Sequence, residues 1–315
     1  MASGSVSNSE STTSMDKIIS NEYWARKGEA QLYVYRKRVE GMHGRVLFLI
    51  HGSSLSSVPS YDLHVAGHDD YSVMDHFASL GFDVWTMDHD GYGRSSRTAS
   101  NADIADSVVD LKAAWPIVSS ETGGRTATVY GQSGGALRAA AFAQACPERV
   151  DRLILDGFVW TGRGSPTLAK RAQRLDEWRA SNRRKVDRAF FETIFNRDHP
   201  AFGDPMVARA WADYEMALDD SFPTGTYVDM SANLPLIDPA RILCPVQIIR
   251  GEFDGIASDD DLIDFFRLLP NKEKQFCSMS GQAHVGPQAV NRHRFIHVME
   301  AFLTMPARRD PLAGK

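Results

Sequence analysis

Ser133 lies in the pentapeptide Gly131-Gln132-Ser133-Gly134-Gly135, directly after the extended run Thr126–Tyr130 (TATVY) and directly before the Ala/Leu-rich stretch 136–145. A serine hydroxyl is a poor nucleophile near neutral pH, so it needs a base within hydrogen-bond reach and an acid to orient that base. On a strand–turn–helix unit, G-x-S-x-G holds the serine on a tight, strained turn, and its small neighbours let strand and helix come close. The string is common by chance in a chain with 24 glycines, so the flanking strand and helix are what point to a nucleophile.

The base should follow downstream. Among ten histidines, His284 stands in the small-residue loop GQAHVG, after the last strand-like run and before a terminal helix. His43, His64, His68, His76, His89 and His199 fall outside the chain order Ser, acid, His. His293 and His297, four apart, read as faces of the terminal helix. For the acid, Asp254 follows the VQII run in Arg250-Gly251-Glu252-Phe253-Asp254 and falls between Ser133 and His284. Glu252, Asp259, Asp260 and Asp261 are its nearby rivals, and Asp156 is the outside candidate. Acyl transfer further needs two backbone N–H groups aimed at the oxyanion. Gly134 follows the nucleophile, and His51-Gly52-Ser53-Ser54 follows an earlier strand, which makes Ser53 the second donor with Ser54 beside it.

The elements that must position these groups alternate along the chain. Strands are expected at Ala30–Arg38, Arg45–Ile50, Phe82–Met87, Thr126–Tyr130, Arg152–Leu155, Val246–Ile249 and Gln275–Met279. Helices are expected at Tyr71–Leu80, Ala102–Val118, Ala136–Ala145 and His293–Met305. This alternation predicts an α/β fold with a mostly parallel, doubly wound sheet. From Phe158 to about Ala240 the strand rhythm gives way to a charged, helical, proline-punctuated stretch, read as an inserted lobe. The organisation expected is a flexible tail over 1–20, a core over 21–157 and 241–310, and a helical cap over 158–240.

His51-Gly52, Asp88-His89-Asp90-Gly91-Tyr92-Gly93-Arg94-Ser95, the G-Q-S-G-G turn, Gly251-x-x-Asp254 and His284 together resemble the α/β-hydrolase superfamily, over roughly Leu32 to Leu303. The resemblance implies an eight-stranded core flanked by helices, a helical cap inserted after the sixth strand, and an active site between them. It implies Ser133, His284 and Asp254 as catalytic triad, the Ser53 and Gly134 amides as oxyanion hole, and no cofactor. Relatives that use Asp at the position of Ser133, the haloalkane dehalogenases and epoxide hydrolases, are disfavoured as guides. The implied activity is hydrolysis of a carboxylic ester or lactone of a small, partly hydrophobic molecule through an acyl-enzyme. Amide or carbon–carbon bond hydrolysis would use the same residues, and a non-catalytic ligand-binding member is a third reading.

One departure is the long stretch Ser53–Tyr71, which is expected to line a substrate entrance. Its His64, His68, Asp69 and Asp70 form no convergent ligand set, so a polar loop and no metal are expected. Ser54 of that stretch and Trp160, Trp178 and Trp211 of the lobe are the candidate pocket residues. The basic run Arg171, Arg174, Arg179, Arg183 and Arg184 is read as a solvated helix face rather than an anion site.

Bulk properties bound the rest. Hydrophobic residues at 43% and charged residues at 24% fit a globular chain. A net charge of -5 and no basic stripe argue against nucleic acid, and the lack of an 18-residue apolar run argues against a membrane span. Three widely spaced cysteines predict free thiols in a reducing compartment. The first residues, MASGSVSNSESTTSM, lack an apolar leader, so a cytoplasmic location is expected. The expected partner is a small-molecule substrate, and a homo-oligomer is left open.

Overall fold

In the computed structural model, which describes residues 17–306, ten strands are formed. They are β1 (Ile18–Lys27), β2 (Ala30–Val39), β3 (Val46–Ile50), β4 (Asp83–Met87) and β5 (Ala127–Gln132), then β6 (Val150–Asp156), β7 (Arg183–Lys185), β8 (Ser221–Pro223), β9 (Val246–Gly251) and β10 (Lys274–Met279). Eight of them make one sheet in the order β1-β2-β4-β3-β5-β6-β9-β10, while β7 and β8 form a separate antiparallel ribbon. The pairs β1/β2 and β2/β4 are antiparallel, and every other pair in the large sheet is parallel.

The helices are α1 (Ser57–Tyr61), α2 (Val73–Ser79), α3 (Ile104–Thr122), α4 (Gly134–Ala145), α5 (Pro166–Ala172) and α6 (Leu175–Ala180), then α7 (Arg188–Asn196), α8 (Pro205–Leu218), α9 (Gly225–Val228), α10 (Asp259–Leu268) and α11 (Arg292–Leu303). Strands β3 and β4 are buried at every position, as expected of parallel strands covered on both faces. On one face Leu111, Trp115 and Val118 of α3 and Leu137 and Phe142 of α4 pack over Phe48, Val129 and Trp85. On the other, Met74 and Phe77 of α2 and Phe295, Met299 and Phe302 of α11 pack over Leu47, Leu49 and Val84.

Register brings one end of the sheet to a common edge. Ile50 pairs with Gly131, Gln132 with Asp156, and Asp156 with Ile249, so the loops after β3, β5, β6 and β9 emerge side by side. In open parallel sheets that carboxyl edge is where ligands bind. Over it lies the segment between β6 and β9, made of α5 to α9 and the β7/β8 ribbon. Phe191 and Phe195 of α7 and Val207 and Trp211 of α8 pack there with Leu55 and Tyr92.

Strand β1 was not among the expected strands. It is an edge strand whose residues are mostly exposed or half-buried, so its apolar pattern is faint. Because it begins at Ile18, the sheet reaches into the stretch expected to be tail, and residues 1–16 of that tail, like 307–310 of the expected core, lie outside the described residues. The cysteines Cys146, Cys244 and Cys277 are free. Among the described residues no helix is long and apolar enough to cross a membrane.

Candidate active site

Ser133 joins β5 to α4 with φ 57° and ψ −123°, a backbone state that L-residues adopt only under constraint. Its N–H donates to the Asp156 carbonyl (2.8 Å), and its own carbonyl accepts from Ala136 N (2.9 Å). The glycines around it are sterically required. A Cβ at Gly131 would lie 2.5 Å from the Gly135 carbonyl carbon, and one at Gly135 would overlap the Ile50 oxygen and lie 2.6 Å from that of His51. The turn is therefore wedged against the end of β3.

His284 leaves the loop after β10 and is buried, with Nδ1 2.9 Å from Asp254 Oδ1. The same oxygen accepts from Ile256 N (2.9 Å). Burial pushes the Asp254 carboxyl up, but the His284 ring and the Ile256 amide outweigh it and hold the group below its ordinary value, so it is ionised. Gly157 (φ +54°) closes over the pair: a Cβ there would stand 2.9 Å from His284 Cε1. No hydrogen bond joins Ser133 Oγ to His284 in this structure. Such contacts commonly tighten only when substrate is bound.

The rival acids are placed elsewhere. Asp156 accepts from Tyr130 OH (2.8 Å) and Gln132 Nε2 (3.2 Å), and burial, reinforced by the Asp254 charge, pushes its carboxyl up to about 8. Glu252 holds Ser280 and Gly281 N, Asp259 pairs with Arg250, Asp260 is exposed, and Asp261 holds the backbone at Trp160 and Thr161. His293 and His297 lie on the exposed face of α11.

Ser53 and Gly134 are neighbours in space, since a Cβ at Gly134 would lie 3.3 Å from Ser53 N. Neither amide has a hydrogen-bond acceptor among the described residues. Two free N–H groups buried beside a strained serine are the kind of donor pair that an oxyanion would need. Arg138 of α4, fully buried, fixes this loop: Nη1 donates to the carbonyls of His51 (3.0 Å) and Gly52 (3.1 Å), and Nη2 to Tyr92 OH and Thr226 Oγ1. With those carbonyls drawn toward α4, the Ser53 amide is left for the cavity. The Asp88–Ser95 turn braces the same region, with Asp88 accepting from Ser57 N and Arg94 N.

Above these groups is a cavity of about 890 Å³ lined by Ser53, Ser54, Ser133 and His284 from the core and by Trp178, Arg184 and Tyr227 from the lobe. Ser54 and Trp178 thus face it. Trp160 does not: its Nε1 donates to Ile237 O (3.0 Å) and its ring packs on Phe265. Trp211 does not either, being stacked on Phe195 (4.4 Å) and bonded to Pro59 O. Both are consumed by internal packing. Of the stretch 53–71, Ser53, Ser54, Leu55 and Ser60 reach the cavity, while Asp70 pairs with Arg292.

The basic run is a solvated helix face only in part. Arg174 and Arg179, at α6, are exposed, although Arg174 also reaches the cavity rim; Arg171, Arg183 and Arg184 line the cavity, and Arg184 is only 7% exposed. Residues 183–185 are a strand, and period-2 alternation buries Arg184 between the more exposed Arg183 and Lys185, which reach the lining as well. Asp198, Asp254 and His284 bring donor atoms within 4.8 Å of one another. Two of them are already joined as an acid–base pair, and Asp198 binds Arg197 (2.8 Å), so the set carries no open ligand face.

Residues 64–285 match the family described as "Serine aminopeptidase, S33". No curated protein matches the chain. Among solved structures, a carboxylesterase from Bacillus subtilis superposes with a TM-score of 0.65 at 17% identity, covering 93% of this chain and 94% of that one. An enol-lactonase from Burkholderia xenovorans gives 0.64 at 16% identity, covering 90% and 100%. An E-2-(acetamidomethylene)succinate hydrolase gives 0.66 at 18%, covering 90% and 99%.

Proposed function

From its place in the serine aminopeptidase S33 family of α/β-hydrolases, to which this chain belongs, we propose that it is a serine hydrolase cleaving a carboxylic ester or lactone of a small, partly hydrophobic molecule. Ser133 Oγ attacks the carbonyl carbon while His284 takes its proton, with the ionised Asp254 holding the ring and offsetting the charge it acquires. The oxyanion accepts from the Ser53 and Gly134 amides, each such donor lowering the barrier by about 3–4 kcal/mol. Collapse expels the alkoxide, protonated by His284, and leaves an acyl-enzyme. Water, deprotonated by the same base, then releases the acid.

The observation that carries this reading is the convergence on one cavity of a strained serine and a histidine bonded to a buried carboxylate at 2.9 Å, with two free amides beside the serine. The structural similarity to a carboxylesterase and an enol-lactonase supports ester or lactone hydrolysis. An aminopeptidase would need a free carboxylate for the substrate's ammonium, and both carboxylates in the lining, Glu177 and Asp198, are paired with Arg174 and Arg197. The free thiols favour a reducing compartment such as the cytoplasm.

The test is labelling and turnover together. An activated phosphonate should modify wild type at Ser133 and leave Ser133→Ala unlabelled, and 4-nitrophenyl ester hydrolysis should vanish in that variant. Turnover retained in Ser133→Ala would remove the serine from the mechanism.

A further inference from the structure

The cavity lining carries seven Lys and Arg side chains against two carboxylates. Both carboxylates are taken, and Arg183 and Lys185 are balanced outside the cavity by Asp219 and Asp220. Among the described residues this leaves Lys170, which is exposed to solvent, and two inward guanidinium groups with no carboxylate partner, those of Arg171 and Arg184. Arg171 touches only the Met230 sulfur (3.9 Å) and the Tyr227 ring, 4.2 Å from its centroid. Arg184 donates through Nη2 to Ser53 O (2.8 Å) and Ser54 Oγ (2.9 Å), while its Nε is buried without any partner.

The Tyr227 ring is in contact with both cations, with Arg184 4.1 Å from its centroid and its hydroxyl 3.2 Å from Ser54 Oγ. Burial opposes ionisation of this phenol, yet Arg171 and Arg184, with Ser54 and Arg197, bring it down to about 7. Even when fully ionised it supplies one negative charge against two. A buried cation without a counter-ion is costly unless a ligand provides one. A guanidinium fork matches a planar carboxylate.

We propose that the ligand of this cavity carries a carboxylate held by Arg171 and Arg184, so that the bond cleaved belongs to the ester or lactone of an acidic small molecule. This rests on the hydrolase reading above for the reaction, though not for the binding. Because Arg184 bonds Ser53 O, the anion sits next to the oxyanion loop, within a few bonds of the reacting carbonyl.

The test compares mono-(4-nitrophenyl) glutarate with 4-nitrophenyl pentanoate, which share chain length and leaving group. Wild type should prefer the acidic ester at least about tenfold in kcat/KM, and Arg171→Gln should cut that ratio by about tenfold, the scale of one charge-assisted hydrogen bond. Arg179→Gln, from the same basic stretch but outside the cavity, should leave the ratio unchanged. A wild-type preference for the neutral ester would overturn the proposal while leaving the hydrolase intact. So would a ratio unmoved by both Arg171→Gln and Arg184→Met. Calorimetry of glutarate with Ser133→Ala reads the site without turnover. Binding there, weakened about tenfold by adding Arg171→Gln, supports the anion site even if neither ester is cleaved, in which case only the hydrolase reading falls. No binding at millimolar glutarate, or inorganic phosphate binding more tightly, would overturn the carboxylate assignment.

Discussion

Asp254→Asn separates charge from shape at the base. Oδ1 of Asp254 accepts from both His284 Nδ1 and Ile256 N at 2.9 Å, so an asparagine with its carbonyl oxygen in that place keeps both contacts. What it loses, under the proposed mechanism, is a negative charge beside the imidazolium that forms as Ser133 gives up its proton. Two unit charges about 4 Å apart at an effective dielectric near 20 interact by about 4 kcal/mol. At about 1.4 kcal/mol per power of ten, kcat/KM should fall by about a thousandfold. The opposite amide orientation, with the NH₂ group toward the ring, would favour the wrong tautomer and deepen the loss. The assay is kcat/KM on a 4-nitrophenyl ester, with thermal melting to show that the fold is intact. Asp156→Asn is the matched control: the Asp156 carboxyl, pushed up to about 8 chiefly by burial, is mostly protonated at neutral pH, so its amide should keep activity of the same order. A loss below tenfold for Asp254→Asn, or equal losses for the two variants, would refute Asp254 as the orienting acid.

Arg138→Met should remove the bonds to the His51 and Gly52 carbonyls, release the Ser53 amide from its aim, and lower kcat by about 10- to 100-fold at little change in KM, the scale of one or two hydrogen bonds to a charged group. A change confined to KM would place Arg138 outside oxyanion positioning. Gly135→Ala should destabilise by about 3 kcal/mol or more, because its methyl group meets the backbone oxygens of Ile50 and His51, and a melting temperature within a degree of wild type would contradict the wedge at the turn. Glu215, accepting from Ser56 N (2.5 Å) and Oγ (2.7 Å), has its carboxyl pushed up to about 8, mainly by burial. Its folded state therefore holds a proton that the unfolded state releases above its model value of 4.5, and stability falls as pH rises between 4.5 and about 8. Glu215→Gln should gain melting temperature relative to wild type from pH 5 to pH 9, and a flat difference would mean that Glu215 is ionised when folded.

The family and the sheet were legible because their signals are local. A strand–turn–helix around Ser133, with glycines where strand and helix touch, is written into five consecutive residues. The buried parallel strands announce themselves as short apolar runs. Strand β1 escaped because an exposed edge strand carries polar residues along much of its length, and the ribbon strand at Arg183–Lys185 escaped because three charged residues in a row carry no apolar alternation to read. Arg138 had no signal either, since an arginine in an Ala-rich helix is ordinarily a solvated one.

The chain order of a serine, an acid and a histidine, and the turns on which they stand, was set by the amino-acid sequence alone. Tertiary structure decided which of several carboxylates meets the histidine, a matter of which loop emerges beside which strand end. Asp254 reaches Nδ1 of His284, whereas Asp156, one strand over, is drawn instead to Tyr130 and Gln132. It also decided the character of the cavity. Burial and pairing depend on neighbours far apart in the chain, so only the fold shows that Arg174 and Arg183 have carboxylate partners while Arg171 and Arg184 face the cavity over Ser133 without one among the described residues.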